Sequence, residues 1–148
     1  MSVFSNFTQH LGLFRQHFDQ AKQPYAWLTG DTPQKQRQRA IEQFQQEEAI
    51  QTFFISMKAG GTGLNLTAAD YVCILDPWWN PATERQAIAR AHRIGQTNPV
   101  IAVKFITKNT IEEKILKLQE QKAQLAEDII ENRGKVPLSK QDIAYLFE

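Results

Sequence analysis

The stretch that decides the fold runs from Thr52 to Leu75 and reads TFFISMKAGGTGLNLTAADYVCIL. It contains two short apolar runs, Thr52–Ser56 and Tyr71–Leu75, with a glycine-rich segment between them. Unbroken apolar runs of this length are typical of strands that are covered on both faces of a sheet. The stretch therefore predicts two buried strands joined by a glycine-rich connection.

The same alternation continues on both sides of this stretch. Further apolar runs predict strands at Val3–Ser5, Tyr25–Leu28 and Ile101–Ile106. Longer stretches with helical periodicity separate the runs, which is the pattern of βαβ units. The sequence therefore predicts an α/β fold with a mostly parallel sheet flanked by helices.

Helix starts can be located from capping patterns and apolar spacing. A first helix is predicted from aromatic and leucine residues that recur at i, i+4, i+7 and i+11, namely Phe7, Leu11, Phe14 and Phe18. Thr32-Pro33 and Asn80-Pro81 each combine an N-cap residue with a proline suited to the first helical position. They predict helices that continue through Phe44 and to about Ile94.

The C-terminal part is predicted to be helical. One apolar face continues from Ile111 for about 20 residues, or roughly 30 Å of helix. Gly134 is expected to end this helix, and Ser139 to cap a short terminal helix. We expect a lobe over residues 1–109 and a helical brace over residues 110–148, packed on the same domain. Because the first strand begins almost at the first residue, we also expect the chain to be cut from a larger protein.

Composition limits the possible classes of protein. Hydrophobic residues make up 42% of the 148 residues and charged residues 22%, as in ordinary globular domains. No apolar run approaches the roughly 20 residues needed to span a bilayer, and MSVFSNF lacks the features of a signal peptide. We therefore expect no membrane partner and an intracellular location, in a bacterial cytoplasm or nucleoid or in a nucleus.

Charge and cysteine content are also informative. The net charge is only +1, but residues 1–108 hold 11 of the lysines and arginines against 8 acidic residues. Any DNA-binding surface is therefore expected to be local. Cys73, the single cysteine, lies inside an apolar run and is interpreted as a structural thiol; no metal site is predicted.

The glycine-rich segment Lys58–Leu66 is the first candidate for chemistry. Three glycines in four residues leave backbone amides open to a phosphate or a ribose. It is not a Walker A loop, because no Gly-Lys-Ser/Thr follows. A flexible turn is the alternative interpretation.

The second candidate is the segment QAIARAHRIGQ at residues 86–96. Gln86, Arg90 and Arg93 are spaced by four and three residues, which predicts that they share one helical face. Two guanidinium groups arranged in this way can clamp a transferring γ-phosphate. The alternative is a solvated basic face. His92 falls off that face and is interpreted as a packing residue.

The third candidate is DPWWNP at residues 76–81, directly after a predicted strand. Tryptophans are costly to expose, so a pair of them at a loop tip indicates a binding surface. We expect one of the two to pack in the core.

Together these segments resemble the superfamily-two helicases of the Swi/Snf group. The run from Asp76 to Gln96 is similar to that group's DPWWNP followed by QAxxRAHRIGQ. The other matches occur in order along the chain: Val3–Thr8 with motif IV, Leu28–Thr32 with the short motif after it, Lys58–Asp70 with motif V, Gln86–Gln96 with motif VI, and Ile111–Ile115 with the start of the brace helix.

The resemblance implies a RecA-like C-terminal lobe with a nucleotide-facing edge. Arg93 matches the arginine finger and Arg90 its γ-phosphate-sensing neighbour, with Gln86 in the same motif. Gly61 and Gly63 are expected to face the nucleotide across the interface between two lobes.

The resemblance also implies contacts with a DNA backbone. The matching positions are Ser5, Asn6, Lys58 and Trp79. At Ala89 the chain departs from the family, which often has aspartate there, so we expect the arginines to lack that partner. We also expect the shortened first strand to loosen motif IV.

No GxxxxGK[ST] and no DExH-like box occurs in the sequence. In the resembled family, those parts belong to an N-terminal RecA-like lobe of the same protein, which mainly holds ATP and Mg²⁺. The resemblance thus implies the C-terminal half of an ATP-dependent double-stranded DNA translocase. The isolated chain is predicted to be an inactive half of that DNA-dependent ATP hydrolase.

Two alternatives remain at this point. One is another superfamily-two motor, of a restriction type or directed to RNA, against which the run from Asp76 to Gln96 argues. The other is a non-catalytic docking module, for nucleic acid or protein, that has kept the helicase-lobe fold. Such a module has no need for Gln86, Arg90 and Arg93, and their presence favours the motor.

Overall fold

The computed structural model describes residues 1–59, 64–93 and 95–131. Their elements are β1 (Ser2–Ser5), α1 (Thr8–Gln20), β2 (Ala26–Leu28), α2 (Gln34–Gln46), β3 (Phe53–Ser56), β4 (Tyr71–Ile74), α3 (Pro81–Ala91), β5 (Ile101–Lys104) and α4 (Ile111–Glu131). The predicted terminal elements around Gly134 and Ser139 lie outside the described residues.

The five strands form one sheet in the order β2-β3-β1-β4-β5. Every pair of neighbouring strands is parallel. The prediction of an α/β fold with a parallel sheet is therefore confirmed. The carboxyl ends of all five strands lie at the same edge of the sheet, which is where open α/β sheets bind ligands.

The sheet is covered by helices on both faces because successive residues of a strand point to opposite sides. On one face, Val3 and Phe54 pack with Leu11 of α1. On the other face, Phe4 and Ile55 share a core with residues of α2 and α3, including Phe44, Ala87 and Ala91. This two-sided burial explains why β1 and β3 are buried at every position without alternation, whereas the edge strand β5 is exposed or half-buried.

β1 is the central strand of the sheet. It pairs with β3 along Ser2–Ser5 and with β4 along Ser2–Phe4. All four of its residues are buried. The end of this strand is therefore held on both sides, contrary to the expectation that the short strand would loosen motif IV.

The predicted helix starts are only partly correct. Asn80 caps α3 as expected, since its side chain accepts a hydrogen bond from the Ala82 N–H at 2.9 Å and Pro81 opens the helix. Thr32 does not cap α2. Its hydroxyl oxygen accepts from the Thr29 N–H at 2.9 Å within a turn, Pro33 takes the N-cap position, and the helix begins one residue later than predicted.

The chain divides into two compact units, Met1–Ile106 and Thr107–Glu148. In the second unit, Thr110 caps α4 by accepting a hydrogen bond from the Glu112 N–H at 3.2 Å. The brace role predicted for residues 110–148 remains a prediction. None of the helices among the described residues is both long and apolar enough to cross a membrane.

Candidate functional site

The loops after β1 and β4 are joined by one buried carboxylate, Asp76. One of its oxygens, Oδ2, accepts hydrogen bonds from the Ser5 hydroxyl and the Asn6 N–H, both at 2.7 Å. The other, Oδ1, lies 2.7 Å from Nδ1 of His10 on α1. Only 4% of Asp76 is exposed. The carboxylate therefore fixes the two loops and the first turn of α1 relative to one another.

The predicted DNA contacts differ in their accessibility. Ser5 is fully buried, and its hydroxyl is hydrogen-bonded to Asp76. Asn6 is half-buried, and its side-chain amide donates to the Asp76 carbonyl at 3.4 Å. Lys58 and Trp79 are exposed. The structure thus brings Ser5 and Asn6 together with the loop that leads to Trp79.

Both tryptophans of the DPWWNP segment lie at the surface. Trp78 is 37% exposed and Trp79 48% exposed. The expectation that one of them packs in the core is therefore wrong. The loop is instead anchored by Asp76 and by Glu84, whose buried carboxylate accepts a hydrogen bond from the Trp78 N–H at 2.9 Å and pairs with Lys104.

The ends of the glycine-rich segment are held by side chains from two other elements. Arg37 of α2 donates to the Ala59 carbonyl at 2.9 Å. At the other end, Arg93 donates to the Leu64 carbonyl at 3.3 Å. Gly61 and Gly63, the predicted nucleotide-facing residues, lie outside the described residues. The two carbonyls that flank the glycines are thus each bound by an arginine.

The three residues predicted to share a helical face do not all lie on the helix. Gln86 and Arg90 are in α3, one turn apart. The helix ends at Ala91, and its C-cap residue His92 has a non-helical ψ of 76°. Arg93 therefore follows the helix, and the prediction that all three share one face is wrong for this residue.

A backbone hydrogen bond nevertheless brings the arginine segment next to the glycine-rich segment. The Leu66 N–H donates to the Arg90 carbonyl at 3.0 Å. Gln96 extends this contact by donating to the carbonyls of Thr67 and Ala69, at 2.9 and 3.0 Å. Arg90 is half-buried, whereas Gln86 and Arg93 are exposed. The structure thus places Arg93 beside the end of the glycine-rich segment. The turn after α3 brings it there, whereas the sequence predicted a position on the face of the helix.

The contacts that join the loops of the site were not found from the sequence. Asp76 and His10 are 66 residues apart, and Asp76 and Ser5 are 71 apart. Their only sequence signal was the position of Asp76 and Ser5 at the ends of predicted strands, which parallel pairing brings together. Among the described residues, no cluster of three or more His, Cys, Asp or Glu side chains is arranged to hold a metal ion.

An all-parallel sheet between helices, with an arginine segment bonded to the end of the glycine-rich segment, is the arrangement expected of a RecA-like lobe. The sequence matches the family described as helicase conserved C-terminal domain over residues 1–95. The chain belongs to this family, and its Swi/Snf-type character is confirmed by its relatives and by a solved structure.

Two relatives illustrate the similarity. DNA repair protein rad8 of Schizosaccharomyces pombe is 41% identical over 147 residues, which is 99% of this chain and 13% of the relative. DNA repair protein RAD5 of Cryptococcus neoformans is 44% identical over 136 residues, or 90% of this chain and 11% of the relative. The chain therefore spans only a small fraction of the length of these relatives.

A solved structure shows the same fold. The crystal structure of the C-terminal part of the Fun30 ATPase domain is similar with a TM-score of 0.75 and 41% sequence identity. The similarity covers 78% of this chain and 38% of that one. The prediction of a RecA-like lobe is therefore confirmed.

Proposed function

We propose that this chain is the C-terminal half of an ATP-dependent double-stranded DNA translocase. In this proposal ATP and Mg²⁺ are held mainly by an N-terminal RecA-like lobe of the same protein. The observation that carries the proposal is the direct bonding of the arginine segment to the glycine-rich segment, through Arg93 to Leu64 and Leu66 to Arg90. Relatives named as ATP-dependent helicases and DNA repair proteins support it.

Arg93 is proposed as the arginine finger. A guanidinium group has five N–H donors in a planar fork, which suits the oxygens of a γ-phosphate. The described contact of Arg93 with Leu64 uses one nitrogen, and the side chain is otherwise exposed. Arg90 and Gln86, one turn apart on α3, are proposed to sense the same phosphate, with Gly61 and Gly63 approaching the nucleotide through their backbone.

The proposed chemistry is electrostatic. In phosphoryl transfer, negative charge spreads over the equatorial oxygens of the transferred group, and positioned cations stabilise it. Mg²⁺, when bound with ATP, neutralises charge on the β- and γ-phosphates. In our proposal Arg93 adds its positive charge only when the lobes close, so that it stabilises the transition state more than bound ATP.

The carboxyl edge of the sheet, where β1, β3 and β4 end, is proposed to bind the DNA backbone. Lys58, Asn6 and Trp79 are the proposed direct contacts, because each is at least partly exposed. Ser5 is proposed to act indirectly, since its buried hydroxyl positions the loop through Asp76. Closure of the lobes around ATP would then move this surface along one strand. Such a protein works where DNA is, in a cytoplasm, nucleoid or nucleus.

The proposal is tested by Arg93→Ala in the intact protein. We expect DNA-stimulated kcat to fall by a factor on the order of 10³, as arginine-finger losses commonly do. The affinities for ATP and DNA should change much less, because the contribution of Arg93 is confined to the transition state.

Arg85→Ala is the matched control, since Arg85 is an exposed arginine on the same helix with no hydrogen bond or ion pair recorded among the described residues. It should remain near wild type. Equal behaviour of the two variants would refute the motor and favour a docking module.

A further inference from the structure

The connection between β3 and β4 is long, and several of its described carbonyl groups find hydrogen-bond partners in other elements. It covers residues 57–70 and contains the glycine-rich segment. Carbonyls outside a helix or a sheet ladder are satisfied by side chains or by water. Among the described residues, five of these carbonyls accept hydrogen bonds from long side chains: Ala59 from Arg37, Leu64 from Arg93, Asn65 from Gln45, and Thr67 and Ala69 from Gln96.

Two of the four donor side chains come from α2. Arg37 and Gln45 are eight residues apart, which corresponds to about 12 Å along a helix. Arg37 holds the carbonyl before the glycines, and Gln45 holds a carbonyl after them. Helix α2 therefore spans the glycine-rich segment and fixes both of its ends.

Arg37 makes the stronger of these two contacts. Its guanidinium is charged, its distance to the Ala59 carbonyl oxygen is 2.9 Å, and the residue is half-buried. Hydrogen bonds from charged donors are roughly twice as strong as neutral ones. Ala59 directly follows Lys58, the proposed DNA contact, so this bond fixes the backbone between the DNA surface and the glycines.

We propose that Arg37 is a positioning residue that transmits DNA binding to ATP hydrolysis. It acts through the Ala59 carbonyl and touches neither nucleotide nor DNA. With Arg37 in place, the glycine-rich segment is held at one end beside Lys58 and at the other beside Arg93. Without the Arg37 hydrogen bond, Lys58 can still bind a DNA phosphate. That binding then no longer changes the position of the glycines or of Arg93. This inference rests on the proposed function.

The test uses Arg37→Met in the intact protein. Methionine retains much of the apolar stem of this half-buried side chain but removes the N–H donors. We expect kcat at saturating DNA to fall about tenfold, while basal ATPase without DNA and the KM for ATP stay within about twofold. A smaller ratio of the DNA-stimulated to the basal rate of ATP hydrolysis indicates that DNA binding and hydrolysis are no longer coupled. A purely structural role would lower both rates together.

Two companion variants define the result. Arg39→Met is the matched control, because Arg39 lies on the same helix, is exposed and has no hydrogen bond recorded among the described residues. It should retain the wild-type ratio. Arg37→Lys keeps a charged donor on a long stem, and we expect it to restore at least half of the lost stimulation.

The inference is overturned if Arg37→Met matches Arg39→Met, if basal and stimulated rates fall together, or if Arg37→Lys restores nothing. Should Arg37→Met fail to fold in a thermal melt, Arg37→Gln carries the same expectations, since its amide is too short to reach Ala59. Arg93→Ala is measured alongside. If it has no effect the proposed function fails, whereas a large effect there with none at Arg37 refutes only this inference.

Discussion

Asp76→Ala should destabilise the fold through the loss of one carboxylate that joins two loops. The Ser5 hydroxyl and the Asn6 N–H both donate to the same oxygen at 2.7 Å, in a buried setting. Hydrogen bonds to a charged group contribute about 1.5–3 kcal/mol each. His10 adds little, because 39% of its side chain is exposed and exposed pairs are weak.

The net cost is smaller than the sum of these bonds. Removing the carboxylate also removes the cost of burying its charge, and the Ser5 hydroxyl can turn fully to the Phe7 carbonyl, 3.1 Å away. We therefore expect a loss of about 3 kcal/mol in the free energy of unfolding. For a chain of 148 residues this lowers Tm by about 6–12 °C.

Asp76→Asn should cost less than half as much. Its amide oxygen can still accept from Ser5 and Asn6, and its N–H can donate to Nδ1 of His10 when the ring proton is on Nε2. The assay is thermal unfolding of the three proteins followed by circular dichroism. Asp31→Ala, at an exposed aspartate, is the control. If Asp76→Ala unfolds at the same temperature as Asp31→Ala, the proposed joining role of the carboxylate is wrong.

Three further predictions concern DNA, phosphate and the thiol. In the intact protein, Lys58→Ala should weaken DNA binding evenly across sequences and reduce the salt slope by about one unit; an altered sequence preference in a binding titration would show that Lys58 does not contact the backbone. The double variant of Arg90 and Arg93 should lose less kcat than the product of the single losses, because both serve one phosphate, and full multiplicativity would contradict this. Burial raises the pKa of the Cys73 thiol, so iodoacetamide should modify it slowly at neutral pH and faster as the pH rises, whereas equal rates in native and unfolded chain would refute the assignment.

The strands could be predicted because each is a run of apolar residues, which is a local signal, although the edge strand β5 is exposed or only half-buried. Each predicted strand overlaps an observed one, and the ends differ by at most two residues, as with Ile101–Ile106 against Ile101–Lys104. The start of α3 was also a local signal, carried by Asn80 and Pro81. Features that depend only on residues close together in the chain could therefore be predicted from the sequence.

The position of Arg93 was not accessible from residue spacing. Periodicity alone predicted a helix to about Ile94, but the helix ends at Ala91. Gly95, with a φ of 102°, was the available sign of a turn, since glycine readily adopts this left-handed region. The apolar face predicted for the first helix was also wrong at its first residue. Phe7 precedes α1 and is exposed, whereas Leu11 is fully buried.

The contacts of Asp76 and Arg37 were missed for a different reason. Each joins elements that are distant in sequence: Asp76 reaches Ser5 across 71 residues, and Arg37 reaches Ala59 across 22. A local pattern gives the chemical type of such residues but not their partners. Only the order of strands in the sheet and the path of the β3–β4 connection bring these groups together.

The most direct test of the central claim compares this chain with the intact protein in a phosphate-release assay with ATP, Mg²⁺ and double-stranded DNA. The account predicts that the intact protein hydrolyses ATP and is stimulated by DNA. The chain alone should release no phosphate above background, because its sequence has no P-loop and no DExH-like box. DNA-stimulated release from the chain alone, at the rate of the intact protein, would contradict the claim that it is one half of a two-lobe motor.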